Sequence, residues 1–292
     1  MNYQWYPGHM TKAKRMMEEK LIDLVIEIVD ARIPISSRNP DIDSLAVNKA
    51  RIILLNKSDL ADDKITNQWI NYFNENNIYC LKLNSRNNSG IKQVNGLIMT
   101  ACADKIERNK QRGILNRPIR AMVVGIPNVG KSTFINSYAG KASAKTGNKP
   151  GVTKGKQWIK LNKNVELLDT PGILWPKFDN QEVGKRLAMI GSMNDEILNV
   201  EELAIDTIKY IYSEYSDNVI ERYGLDKEKT AASYDENAIN PDNSVALYIM
   251  EQAAVKRGCI KKGNNIDYEK ISNIILDDFR SGRLGRISLE TP

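Results

Sequence analysis

Gly125-Ile126-Pro127-Asn128-Val129-Gly130-Lys131-Ser132 fits G-x-x-x-x-G-K-[ST]. It follows an apolar run, Ile119 to Val124, that reads as a strand, and a helix is expected to begin near Lys131. In that setting the glycines let backbone N–H groups curl round phosphates, and the helix N-terminus adds its own attraction for negative charge. Lys131 is expected to reach the β- and γ-phosphates and Ser132 a Mg²⁺ ion. Asn128, Val129, Gly130 and Thr133 complete the expected contacts. By itself the loop specifies only a nucleoside triphosphate.

The base is specified elsewhere. Asn56-Lys57-Ser58-Asp59, an N-K-x-D, ends the apolar run Ile52 to Leu55. A carboxylate at Asp59 can accept hydrogen bonds from both the ring N–H and the exocyclic amine of guanine, which adenine cannot supply. This points to GTP rather than ATP. Asn84 and Ser85, after the next short strand, are candidates to support the guanine carbonyl through backbone N–H groups. Asp169-Thr170-Pro171-Gly172 ends the strand Val165 to Leu168, 44 residues after Gly125. Asp169 can hold Mg²⁺ through water, and Gly172 is expected near the γ-phosphate. Thr153, between the two motifs, is the candidate second Mg²⁺ ligand and γ-phosphate sensor.

Outward from these motifs, short apolar strands alternate with helical stretches. Leu24 to Val29 ends at Asp30, a helix is expected at 64–76, a strand at Tyr79 to Leu83, and one long helix at 91–110. Residues 9–20 also read as a helix. Such alternation predicts an α/β domain with a doubly wound, mostly parallel sheet over residues 1–178. Beyond it the strand signals stop. Val183, Leu187 and Ile190, then Ala204, Ile208 and Ile211, then Tyr268, Ile271, Ile275 and Phe279 recur at helical spacing, so 179–292 reads as a small all-helical domain.

With 292 residues, 41% hydrophobic and 27% charged, the chain is long enough for two domains and too apolar for a disordered one. No run approaches a membrane span and no signal-peptide pattern opens the sequence, so a cytoplasmic protein is expected. Three cysteines without C-x-x-C spacing argue against disulfides and thiolate zinc. The net charge of +6 is unevenly spread: residues 141–163 hold seven lysines and no acid, and 256–292 hold eight basic residues against five acidic. Arg280, Arg283 and Arg286, set among glycines, are candidate RNA contacts. No aromatic platform suggests reading of RNA bases.

The motif order is inverted. N-K-S-D begins 69 residues before the phosphate loop, whereas in ordinary GTPases it follows. The chain in this resembles the circularly permuted GTPases. Tyr6-Pro7-Gly8-His9-Met10, Asp30-Ala31-Arg32-Ile33-Pro34, Ser37-Arg38-Asn39-Pro40 and Asp277-Asp278-Phe279-Arg280-Ser281-Gly282-Arg283 are similar to the ribosome biogenesis GTPase A family. That resemblance implies a permuted P-loop GTPase domain, GTP hydrolysis, and a role in late maturation of the bacterial large ribosomal subunit, with its precursor and rRNA as partners. A monomer that binds neither DNA nor membrane is expected. A permuted GTPase acting on the small subunit or tRNA, or a nucleotide-gated RNA-binding protein, shares the same motifs. Ile173 stands where many GTPases keep a water-orienting Gln. The resemblance makes His9, the only histidine, its replacement, although a histidine beside Pro-Gly also reads as a surface or capping residue. Asn128 resembles the K⁺-binding asparagine of potassium-stimulated GTPases; its alternative is a hydrogen bond within the loop.

Overall fold

A computed structural model of the chain describes residues 22–115, 117–140, 157–160, 163–169, 180–195 and 198–292. His9, the helix expected at 9–20, Thr153, Gly172 and most of the 141–163 lysine cluster lie outside the described residues. The chain divides into two compact units, Met1–Gly184 with Glu290–Pro292, and Lys185–Leu289.

The first unit is built on six strands: β1 (Leu24–Asp30), β2 (Ala50–Asn56), β3 (Tyr79–Lys82), β4 (Ile119–Val124), β5 (Gln157–Lys160) and β6 (Val165–Asp169). Their order is β3-β2-β1-β4-β6-β5. Every β1 residue is buried, as its β-branched run requires of a central parallel strand covered on both faces. The chain winds one way from β1 through β2 to β3 and the other way from β4, so the order reverses between β1 and β4. Ligands bind outside the carboxyl ends of strands at such a reversal. Asp30 of β1 is in register with Asn56 of β2, and Val123 of β4 with Asp169 of β6, so the motif-bearing ends line one edge. The exception to parallel pairing is β5, which runs antiparallel to β6. Four residues beside a lysine-rich stretch gave no strand signal in the sequence.

Helix α1 (Asp41–Leu45) precedes β2, and α2 (Asp63–Glu75) follows it. The Asp62 carboxylate caps α2 by accepting from the Ile65 N–H at 3.0 Å. Trp69 and Phe73, one turn apart, are buried against Ile53, Leu55 and Cys80. The single helix expected at 91–110 is two, α3 (Ile91–Ala101) and α4 (Ala103–Gln111), jointed at Cys102. Only α3 has an apolar stripe, Ile91, Val94 and Ile98; α4 buries nothing, so no packing holds the two in line. Helix α5 (Lys131–Ala139) starts at the phosphate loop.

The second unit is helical among its described residues apart from one isolated antiparallel bridge between Ile260 and Ile266. Helix α6 (Gln181–Met189) leads into it, followed by α7 (Val200–Glu214), α8 (Ser216–Tyr223), α9 (Lys227–Ala231), α10 (Ser244–Arg257) and α11 (Tyr268–Arg280). Helix α7 packs on α10 and α11, with Leu203, Ile208 and Ile211 buried on one side and Ile271, Ile275 and Phe279 on the other. Asp278, 1% exposed, is the polar centre of this unit. It accepts a bidentate pair from Arg222 at 2.8 and 2.9 Å, the Arg283 Nε–H at 2.6 Å and the Tyr223 hydroxyl at 3.3 Å. Burial works to raise its pKa, but hydrogen bonds from Arg222 and Arg283 prevail and hold it below the usual value.

Candidate functional site

The phosphate loop is shaped by two close approaches. A Cβ on Gly125 would lie 2.7 Å from the Ile28 carbonyl oxygen, so only glycine lets β4 turn off this tightly beside β1. Gly130 has φ of +94°, a conformation that costs other residues, and a Cβ there would meet Asn56 Nδ2 at 2.3 Å. Between them Asn128 also takes a left-handed backbone, φ +59°. Lys131, 6% exposed, opens α5, and Ser132 and Thr133 follow in its first turn, where the helix N-terminus and its dipole favour phosphate.

Asn56 joins this loop to the base-reading loop. Its Nδ2–H donates to the Val129 carbonyl at 2.8 Å, while its Oδ1 accepts from the Ser85 N–H at 3.0 Å and the Ser85 hydroxyl at 2.9 Å. The Ser137 hydroxyl, on α5, donates to the Ser85 carbonyl at 2.6 Å. One buried amide thus ties together three segments that are far apart in sequence. Asn56 works as a staple for the site, and Ser137 is a member that no sequence signal marked.

Asn84 and Ser85 take a different part from the one expected of their backbone N–H groups. The Asn84 N–H donates to the Ser89 carbonyl at 3.0 Å and that of Ser85 to Asn56, so neither is free for a guanine carbonyl. The Asn84 Oδ1 accepts from the Arg86 N–H at 2.8 Å, closing an Asx turn. Both residues brace the base-reading loop from beneath. Asp59 is exposed at the turn surface, and Ser58 anchors that turn by donating its N–H to the Leu83 carbonyl at 3.2 Å.

Lys57, left-handed at φ +58°, turns its amine to the Asp30 carboxylate at 3.0 Å. Asp30 is fully buried and also receives a bidentate pair from Arg32, both bonds 2.9 Å. Burial acts to raise the Asp30 pKa, yet Arg32 and then Lys57 outweigh it and hold the carboxyl far below the carboxylate range. For Lys57 burial dominates and lowers the pKa, with Asp30 opposing. Arg38, from Ser37-Arg38-Asn39-Pro40, reaches Glu27 at 3.1 Å and Asp43 at 2.8 Å. Glu27, 2% exposed in the centre of β1, is driven up in pKa by burial against the pull of Arg38.

The arginines expected to touch RNA are only partly available. Arg280 pairs with Asp195 at 2.6 and 2.8 Å and donates to the carbonyls of Ala188 and Met189 at the end of α6, at 2.8 and 3.0 Å. Arg283 pairs with Asp277 and Asp278. Arg280 is therefore corrected from an RNA contact to a clamp inside the helical unit, because its donors satisfy helix-end carbonyls and a carboxylate. Arg286 is exposed.

Residues 120–234 match the family model described as 50S ribosome-binding GTPase. Ribosome biogenesis GTPase A of Bacillus cereus is 46% identical over all of this chain and 95% of its own length. The protein of that name from Thermotoga maritima is 31% identical over 99% of this chain and 94% of its own length. Among solved structures, GDP-bound YlqF of T. maritima superposes with a TM-score of 0.65 at 26% identity, covering 96% of this chain and 99% of that one. The GNP-bound form gives 0.59.

Proposed function

The chain belongs to the ribosome biogenesis GTPase A family and is a GTPase, and from that premise we propose that it drives late maturation of the large ribosomal subunit by binding a precursor particle and its rRNA as GTP and leaving on hydrolysis. The hydrogen bond from Asn56 to the Val129 carbonyl, which joins the two inverted motifs into one site, supports the GTPase part of this reading, and the likeness to the family model described as 50S ribosome-binding GTPase supports the choice of partner. The loop suits the phosphates of a nucleotide: Gly125 and Gly130 let it turn tightly against Ile28 and Asn56, and Lys131 is buried at a helix N-terminus.

Mg²⁺ would sit with Ser132 and Thr153 as direct ligands and Asp169 through water, neutralising charge on the β- and γ-phosphates. Asn128 is the residue to which a K⁺ ion would bind. Lys131 holds the terminal phosphates, Gly172 approaches the γ-phosphate, and Asp59 reads the guanine edge. His9 orients the attacking water at the place where many GTPases use a glutamine and this chain has Ile173, in the catalytic geometry that forms on the partner particle. RNA is met through phosphate and shape, with Arg286 and the 141–163 lysines as contacts and a cytoplasmic site of action. Sedimentation with purified subunits tests the partner: retention by the large subunit with non-hydrolysable GTP, and release with GDP, supports it. Retention by the small subunit would favour the alternative permuted GTPases.

A further inference from the structure

The loop from Asp30 to Asn39 is held at its start and at its middle by contacts the GTPase motifs do not require. At its start the Ser37 hydroxyl accepts the Asp30 N–H at 3.0 Å and donates to the Ile33 carbonyl at 2.7 Å. At its middle the Glu290 carboxylate, 7% exposed, accepts the N–H groups of Ile35 at 2.8 Å and Ser36 at 3.1 Å, and the Ser36 hydroxyl as well. Glu290 is third from the C-terminus of the sequence, and its main chain is pinned in turn: the Trp69 indole N–H donates to its carbonyl at 3.2 Å. The tail thus closes the first unit from 254 residues away in sequence.

We propose that Asp30 is a positioning residue for guanine binding, fixing the Lys57 side chain beside the base site, and that Glu290 holds the loop carrying Asp30. Lys57 is 24% exposed, so its stem is available at the site while its amine is tied to a carboxylate that Arg32 also clamps. Without that anchor, a lysine stem must be ordered by the ligand itself, at a cost in rotamer entropy. A carboxylate at 290 suits its three donors; glutamine would turn an N–H₂ toward one of them. The inference rests on the reading of Asn56-Lys57-Ser58-Asp59 as the base-reading loop.

The test is titration of the full-length protein with a fluorescent GDP analogue, using Glu290→Gln, Asp30→Asn, Lys57→Met and the two double variants with Lys57→Met. Glu290→Gln and Asp30→Asn are expected to raise the GDP dissociation constant about tenfold, with less than about a twofold further change in the Lys57→Met background, because both act through that side chain. Undiminished effects in the Lys57→Met background, or unaltered affinity in Glu290→Gln, would overturn the proposal. Should Asp30→Asn fail to fold, the Glu290→Gln cycle decides alone. Asp59→Asn in the same assay separates the two levels: if it keeps the preference for GDP over ADP, the base-loop reading itself falls. If it loses that preference while Glu290→Gln binds normally, only the positioning role falls.

Discussion

Asp59, Lys131 and Asp30 each make a separable claim. Asp59→Asn replaces an acceptor for two base protons with an amide that can accept one, so GDP should bind about tenfold to a thousandfold more weakly with ADP little changed. Equal losses for both nucleotides would contradict the base assignment. Lys131→Ala removes the buried cation at the head of α5 and should abolish Mg²⁺-dependent turnover while the fold persists, as circular dichroism would report. Asp30 bears on acid stability. Its folded pKa lies below the usual 3.8, so its contribution is complete above that value and is lost as pH falls toward the lowered one. Asp30→Asn should therefore cost about 3–5 kcal/mol at neutral pH, where it leaves Arg32 buried without its carboxylate, and should flatten the loss of stability below pH 4. Urea unfolding at pH 7 and pH 3, followed by tryptophan fluorescence, reads both; an unchanged slope would contradict the ion-pair account.

Among the elements, the phosphate loop with its flanking strand and helix was legible because Gly125 and Gly130 are needed where they stand. Gly130→Ala tests that necessity. The left-handed backbone costs about 1–2 kcal/mol and the new Cβ would displace the Asn56 amide, so nucleotide affinity should fall at least about tenfold. Native affinity in Gly130→Ala would mean that the staple is dispensable. The strands β1, β2, β4 and β6 were readable for the same reason that they are buried, since parallel central strands are continuous apolar runs. Four-residue β5 was not, because an edge strand paired on one side needs no such run. Helix α10 escaped notice because Ala246, Ile249, Met250, Ala253 and Ala254 are mostly small and do not stand out as a large-residue stripe. The roles of Asn84, Ser85 and Arg280 were misread for a common reason: residue type indicates what a side chain can bond, but the partner is chosen by the fold. Asp195, which claims Arg280, lies 85 residues away.

For the molecule as a whole, the chain crosses between its two units at Gly184–Lys185 and again at Leu289–Glu290, so the helical unit is an insertion within the GTPase unit rather than an appendage at its end. No sequence pattern announced that return, because Glu290 is a single acidic residue whose partners, Ile35 and Ser36, offer main-chain groups. Arg280→Ala should lower the stability of the helical unit by about 1–3 kcal/mol, chiefly by leaving the Ala188 and Met189 carbonyls without their donor. Arg286→Ala should reduce the salt dependence of ribosome binding by about one counterion, and Arg280→Ala should leave it unchanged. The reverse pattern would return Arg280 to the RNA surface. The reading of the protein as a GTP-hydrolysing factor of the large subunit stands most directly on GTP turnover measured alone, with purified large subunits and with purified small subunits. The expected result is a rate raised at least about tenfold by the large subunit only and lost in His9→Ala at unaltered GTP affinity; equal rates in all three conditions, or stimulation by the small subunit, would contradict it.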